Sequence, residues 1–228
     1  MKTIFSLLII SIMTSNLSAQ TLFKDLETYV NLISNTTAPG DKERKEALDD
    51  LADYIVEKKH AGKPVYFTFI CTHNSRRSHL SQIWAQTFAA YYGLTDIHCF
   101  SGGTEATAFN HRAVAALKRA GFQIDNPGGN NPNYSVRFSK DAPPLICFSK
   151  TFADAPNPQK DFCAVMTCSD ADKNCPFVPG ADFRVPVPYV DPKEADDTPA
   201  EIARYDERTR QIAAEMRYVM RTAKQKLQ

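Results

Sequence analysis

Val65-Tyr66-Phe67-Thr68-Phe69-Ile70, followed without a break by Cys71-Thr72-His73-Asn74-Ser75-Arg76-Arg77-Ser78, is the stretch on which the fold turns. The first six residues form a short, largely apolar run of the kind expected for a strand buried on both faces. Leu80, Ile83, Trp84, Thr87, Phe88 and Tyr91 then recur at helical spacing, with Gly93 placed to end the helix. The eight residues from Cys71 to Ser78 therefore bridge a strand end and a helix start, the place where open α/β sheets bind ligands. A chain curling through such a bend aims backbone N–H groups inward, and the helix start adds partial positive charge. A tetrahedral oxyanion, phosphate or arsenate, fits that cradle. The same field favours the thiolate of Cys71, which makes it the candidate nucleophile. Arg77, six residues on, can return its guanidinium fork to two oxygens of the anion. Asn74 and Ser78 read as internal braces, and Thr72, His73, Ser75 and Arg76 complete the oxyanion-binding loop.

Outward from this loop the alternation continues. Ile97 to Phe100 reads as a strand, Gly102-Gly103 as a turn, and Asn110 to Ala120 as a helix stopped at Gly121. Asp125 to Asn133 is expected to be a loop. Tyr134 to Ser139 and Leu145 to Phe148 are expected to be short strands around Pro143-Pro144. Phe162 to Thr167 is a further strand, and Phe183 to Val187 a weaker one. Thr198-Pro199-Ala200-Glu201 signals a capping box with proline at the first helical position. The helix it opens has Ile202, Tyr205, Ile212, Met216 and Val219 as its apolar face. Upstream, Thr21 to Ser34 and Asp41 to His60 carry apolar residues at helical spacing on either side of Pro39-Gly40. Alternating buried strands and helices predict an α/β fold, a parallel sheet with helices on both faces.

The chain has 228 residues, with 27 Lys and Arg against 26 Asp and Glu. One catalytic domain with an extension is expected, and a near-neutral balance gives no broad field to attract nucleic acid. Lys2, the apolar run Ile4 to Met13 and Leu17-Ser18-Ala19 read as a secretory signal over residues 1–19. Residues 20–62 are then a helical extension and 63–228 the catalytic domain. Export, to a periplasm, follows from that reading, with no stable membrane insertion after cleavage. Asn35-Thr36-Thr37 matches a glycosylation triplet to which no function is attached. Of the six cysteines, Cys71, Cys99, Cys147 and Cys163 lie in or at the end of apolar runs, while Cys168 and Cys175 share a polar, turn-rich stretch. His98, His111 and Cys99 have no ligand spacing and read as structural, so no metal is expected. Arg204, Arg208, Arg210, Arg217 and Arg221 are interleaved with acids and read as a solvated helix face.

A Cys-x5-Arg-Ser loop opening the catalytic domain resembles the low-molecular-weight protein tyrosine phosphatase superfamily, including its thioredoxin-coupled arsenate reductases. Phe69-Ile70-Cys71-Thr72, Asn74-Ser75 and Arg77-Ser78 match, as do Ser101-Gly102-Gly103 and Asn110-His111-Arg112-Ala113-Val114. The resemblance runs from Pro64 to the C-terminus and implies a four-stranded parallel sheet flanked by helices. The chain departs from the family at Arg76, where a second cysteine is common, and at His73, where glycine is usual. Gln82 replaces an acidic residue that some arsenate reductases use around a potassium site, so no potassium and no cofactor are expected.

Cys168-Ser169-Asp170-Ala171-Asp172-Lys173-Asn174-Cys175-Pro176 resembles the redox segment of the arsenate reductases. That resemblance implies that Cys71 attacks arsenate, Cys168 attacks the adduct to release arsenite, and Cys175 takes Cys168 into a disulfide for thioredoxin to reduce. The polar run between the two cysteines is expected to loop out. A plain structural disulfide remains open, since exported proteins commonly carry them. Asp191-Pro192 matches the aspartate-proline element that supplies the general acid in the phosphatases, although Pro186, Pro188 and Tyr189 precede it here. Arsenate reduction with a thioredoxin-like reductant is thus the first expectation. Hydrolysis of phosphotyrosine or aryl phosphates is the second, and a non-catalytic oxyanion-binding or redox-sensing protein the third.

Overall fold

A computed structural model describes residues 19–34 and 41–228. All but the last residue of the expected signal, together with Asn35-Thr36-Thr37 and Pro39-Gly40, lies outside the described residues. The elements run α1 (Lys24–Ile33), α2 (Lys42–His60), β1 (Val65–Cys71), α3 (Arg77–Tyr91), β2 (Ile97–Gly103), α4 (His111–Arg119), β3 (Gln123–Asp125), β4 (Tyr134–Arg137), β5 (Leu145–Cys147), β6 (Phe162–Met166), α5 (Ser169–Asn174), β7 (Ala181–Pro186), a short 3-10 helix (Pro192–Ala195) and α6 (Glu201–Lys226).

The principal sheet is four-stranded and parallel, in the order β2-β1-β6-β7. β1 lies inside it, which is why its sequence is nearly continuous in apolar residues. Val65, Phe67 and Phe69 face the larger core, which α1, α2, α3, α4 and α6 complete. Ile70 faces the other way, onto a small cluster with Phe162, Ala164, Met166 and Ala171. Both faces carry helices, as the alternation predicts, but among the described residues α5 alone of the helices contributes to the smaller cluster. The N-terminal helices bury Leu26, Val30, Leu48, Leu51 and Ile55 in the same core as Phe67, Trp84 and Ile212.

Several local expectations are corrected. Gly102-Gly103 is not a turn but the end of β2, where a Cβ on Gly102 would lie 2.4 Å from the Phe152 backbone. Gln123–Asp125 is a strand that lacks an apolar run. It pairs with β4, and β4 with β5, in a separate antiparallel sheet. The segment after Cys168 is helical rather than a loop. α6 starts at Glu201: Pro199 lies in the preceding turn, where the Thr198 hydroxyl accepts from the Ala200 N–H and the Glu201 carboxylate accepts from the Asp197 N–H. Ile202 is exposed rather than part of the apolar face, and Arg208 is buried rather than solvated.

Candidate active site

Cys71 is the last residue of β1 and Arg77 the first of α3, so the loop between them is pinned by a strand at one end and a helix at the other. Its carbonyls are turned outward. The Thr72 carbonyl accepts from the Glu105 N–H at 2.9 Å, that of His73 from the Ser149 hydroxyl at 3.0 Å, and that of Ser75 from the Asn110 N–H at 2.9 Å. Among the described residues, no acceptor takes the backbone N–H groups of His73, Asn74, Ser75 or Arg76. Asn74, at φ 44°, supplies the left-handed kink that lets successive N–H groups converge. Carbonyls engaged outside the loop and N–H groups left without acceptors is the arrangement that an anion cradle built from backbone needs.

The sulfur of Cys71 is 3% exposed and lies 3.1 Å from the Ser78 hydroxyl. The backbone N–H of Lys150 can only donate, so the Asn74 oxygen must face it, at 2.9 Å. The Asn74 amide nitrogen then donates to Ser78 Oγ, at 2.9 Å, and Ser78 Oγ in turn contacts Cys71 Sγ, toward which the Ser78 O–H is the donor when the sulfur is a thiolate. Asn74 and Ser78 brace the loop as their positions in the sequence suggest, and the second of them contacts the candidate nucleophile.

Arg77 is directed by the segment after β7. Its Nη1 donates to the Tyr189 carbonyl at 3.0 Å and its Nη2 to Asp191 Oδ2 at 2.8 Å, while Nε is buried without a protein partner. A buried guanidinium N–H without an acceptor is costly unless a ligand supplies one. Asp191 also caps the 3-10 helix through the Lys193 N–H. Arg76 turns away from the loop, donating to the Tyr205 hydroxyl at 2.8 Å and to Asp196 at 3.2 Å. His73, at the rim, lies 2.7 Å from Glu105. Thr72, Ser75 and the rest of the proposed loop thus come together as one structure with Asp191 beside it.

The redox candidates arrive from a distance in sequence. β6 pairs with β1 in parallel, Ile70 opposite Met166, so the residues just beyond each strand end are neighbours. Thr167 ties the two ends through its N–H and hydroxyl, both on the Ile70 carbonyl. Cys168 Sγ lies 3.5 Å from Thr72 Oγ1 and accepts from the Ala171 N–H at 3.3 Å. Cys71, Cys168 and Ala171 belong to one small apolar cluster, with Cys175 packed against it. All six cysteines are free thiols, and Cys175 alone is partly exposed. The other three lie elsewhere in the core: burial pushes Cys147 up to about 12 and raises Cys99 and Cys163 strongly. Among the described residues no three His, Cys, Asp or Glu side chains gather as a metal-ligand set.

Two contributors have no site role on sequence grounds: nothing marks His79, and Gly103 stands only in an expected turn and in the Ser101-Gly102-Gly103 match. His79 is fully buried one residue past Ser78, stacked on Phe109 at 4.1 Å between centroids, with Nδ1 3.1 Å from the Ser101 hydroxyl. Burial first, and the Lys150 charge second, hold it well below its ordinary value and therefore neutral. Gly103 packs so closely that a Cβ there would lie 2.1 Å from the Glu105 carbonyl and 2.7 Å from the Asn74 nitrogen.

Residues 66–131 match the family model described as low molecular weight phosphotyrosine protein phosphatase. An arsenate reductase 2 of Staphylococcus epidermidis is 31% identical over 117 residues, 51% of this chain and 69% of that protein. An arsenate reductase of Staphylococcus aureus strain Newman is 30% identical over the same shares of the two chains. A solved low molecular weight phosphotyrosine phosphatase from Vibrio cholerae O395 covers 68% of this chain and 93% of its own, with a TM-score of 0.45 and 12% identity.

Proposed function

This chain belongs to the low-molecular-weight protein tyrosine phosphatase superfamily, with arsenate reductases among its relatives, and from that premise we propose that it reduces arsenate to arsenite through Cys71, Cys168 and Cys175. At the coarser level it is a thiolate-based oxyanion enzyme. The finer reading is carried by one observation: Cys168 lies against Thr72 of the anion loop, in the same small cluster as Cys71 and with Cys175 beside it. A hydrolase of this design needs only the first of these sulfurs.

In the proposed cycle Cys71 Sγ attacks arsenic, a sulfur–arsenic bond forms and one arsenate oxygen leaves as water. The loop N–H groups and Arg77 hold the remaining oxygens, and Asp191, next to Arg77, is the group placed to protonate the departing oxygen. Cys168 then attacks Cys71 Sγ. The sulfur–arsenic electron pair passes to arsenic, arsenite departs and a Cys71–Cys168 disulfide remains. Cys175 attacks Cys168, Cys71 leaves as a thiolate, and an external dithiol of the thioredoxin type reduces the last pair. The final exchange requires a movement. Cys168 and Cys175 cap opposite ends of α5, about 10 Å apart at helical rise, whereas a disulfide needs Cα atoms within about 7 Å. α5 must unwind for the two sulfurs to meet.

Export to the periplasm is part of the same proposal. It is supported by the signal-like N-terminus, with Lys2, the apolar run Ile4 to Met13 and Leu17-Ser18-Ala19. An oxidising compartment would then require a dedicated reductant.

Hydrolysis of aryl phosphates is the second reading, favoured by the Asp191–Arg77 pair beside the loop and by the phosphatase family match. Arsenate turnover with a thioredoxin-like reductant, measured alongside hydrolysis of an aryl phosphate, tests both. Arsenate turnover lost in Cys175→Ser supports the reductase. Aryl phosphate hydrolysis indifferent to that change, without arsenate turnover, supports the phosphatase and overturns the reductase. Neither activity leaves an oxyanion-binding or redox-sensing protein.

A further inference from the structure

The six residues of α5 are too few to hold a helix by themselves, because nucleation is unfavourable and a short helix depends on tertiary contacts. Within α5 only Ala171 is buried. Its C-terminal end is gripped by a side chain from the sheet. Arg184 Nη2 donates to the Asp172 carbonyl at 2.8 Å and to Asp172 Oδ1 at 2.6 Å, and Arg184 Nε donates to the Cys175 carbonyl at 3.2 Å. Arg184 is fixed in β7 opposite Ala164, so the sheet holds the guanidinium in place. One cation therefore satisfies the carbonyls that a helix end leaves open and anchors the partly exposed cysteine.

The geometry points to Arg184 as a positioning residue, a latch that keeps α5 wound while Cys168 faces Cys71 and that must let go of Asp172 and Cys175 before Cys175 can reach Cys168. The inference rests on the thiol-relay reading. In that relay the gated step is balanced by itself: Cys175 thiolate bonds to Cys168 sulfur, the Cys71–Cys168 bond breaks, and Cys71 takes the electron pair. Arg184 touches no reacting atom. It sets how often the helix opens, and hence both the rate of the exchange and the stability of the dithiol form relative to the disulfide.

The test uses the full chain, reduced and then exposed to oxidised glutathione, which takes up two electrons and two protons as the Cys168–Cys175 disulfide forms. Alkylation of the remaining thiols and mass spectrometry give rate and equilibrium. Arg184→Gln should form the disulfide about ten-fold faster, and at about ten-fold lower oxidised glutathione, than the unchanged protein, and Asp172→Asn, which weakens only the carboxylate part of the grip, should shift both in the same direction by a smaller factor. Arg184→Lys should lie between. Carboxymethylation of Cys71 should not change, showing that the anion loop is intact. Rates and equilibria equal to the unchanged protein in both variants, slower oxidation, or no Cys168–Cys175 disulfide in any form would overturn the latch. Should the disulfide respond as expected while arsenate is never reduced, the relay reading fails and the latch stands. If one variant does not fold, the other, which weakens the same grip from the opposite side, still decides.

Discussion

Arg77 Nη2 lies 2.8 Å from Asp191 Oδ2, so the guanidinium at the end of the loop is shared with the carboxylate proposed as the acid. An incoming oxyanion competes with Asp191 for that cation and is repelled by it. Asp191→Asn should therefore bind inorganic phosphate several-fold more tightly by titration calorimetry. The same change removes the proton donor and should lower turnover by about 100-fold or more. Unchanged affinity and unchanged turnover together would deny Asp191 both roles.

The Ser78 hydroxyl lies 3.1 Å from Cys71 Sγ and accepts from the Asn74 amide, whose orientation the Lys150 N–H sets, so it can donate to Cys71 as a thiolate. A hydrogen bond to a charged acceptor contributes about 1.5 kcal/mol or more, roughly a factor of ten. Ser78→Ala should slow alkylation of Cys71 by iodoacetate at neutral pH by about that factor, with the fold intact by circular dichroism. An unaltered rate would mean that the contact with Ser78 contributes nothing to the reactivity of Cys71.

Gly103 has no room for a side chain, because the atoms a Cβ would meet are backbone atoms of Thr72, Asn74 and Glu105 that cannot swing aside. Gly103→Ala should cost about 1–3 kcal/mol in denaturant unfolding and displace the loop, lowering activity more than stability. Wild-type kinetics in this variant would show that the loop tolerates a shift.

His79 is neutral in the folded protein because burial and Lys150 hold it well below its ordinary value of 6.5. Unfolding frees it to take up a proton, so below about pH 6.5 the unfolded chain binds more protons than the folded one and stability falls as pH falls. From this group the slope approaches about 1.4 kcal/mol per pH unit until the folded value is reached. Stability measured from pH 7 to pH 5 should show that slope, and His79→Gln should flatten it. An equal slope in the variant would assign the effect elsewhere.

The anion loop was legible because its chemistry is local. Strand, bend and helix are consecutive, and the N–H groups that line the cradle belong to the residues that spell it. The capping of α6 was read less well, since tertiary bonds from Arg112 to Glu201 and Asp197 draw those carboxylates into another network. β3 was missed because three residues, two of them exposed, make no periodic pattern and gain their place only by pairing with β4. Arg208 read as solvated because charge pattern along a helix does not reveal which neighbours cover it.

By itself the sequence determined the loop from Cys71 to Ser78, the parallel α/β sheet and the helices that flank it, since hydrophobic period and bend chemistry act between residues near one another in the chain. Only the tertiary structure decided that Cys168 lies at the mouth of the same loop, that Asp191 holds Arg77, and that Arg184 grips the end of α5. Each of these joins segments through strand pairing or a long side chain across a gap in sequence, and no local spacing encodes such a meeting.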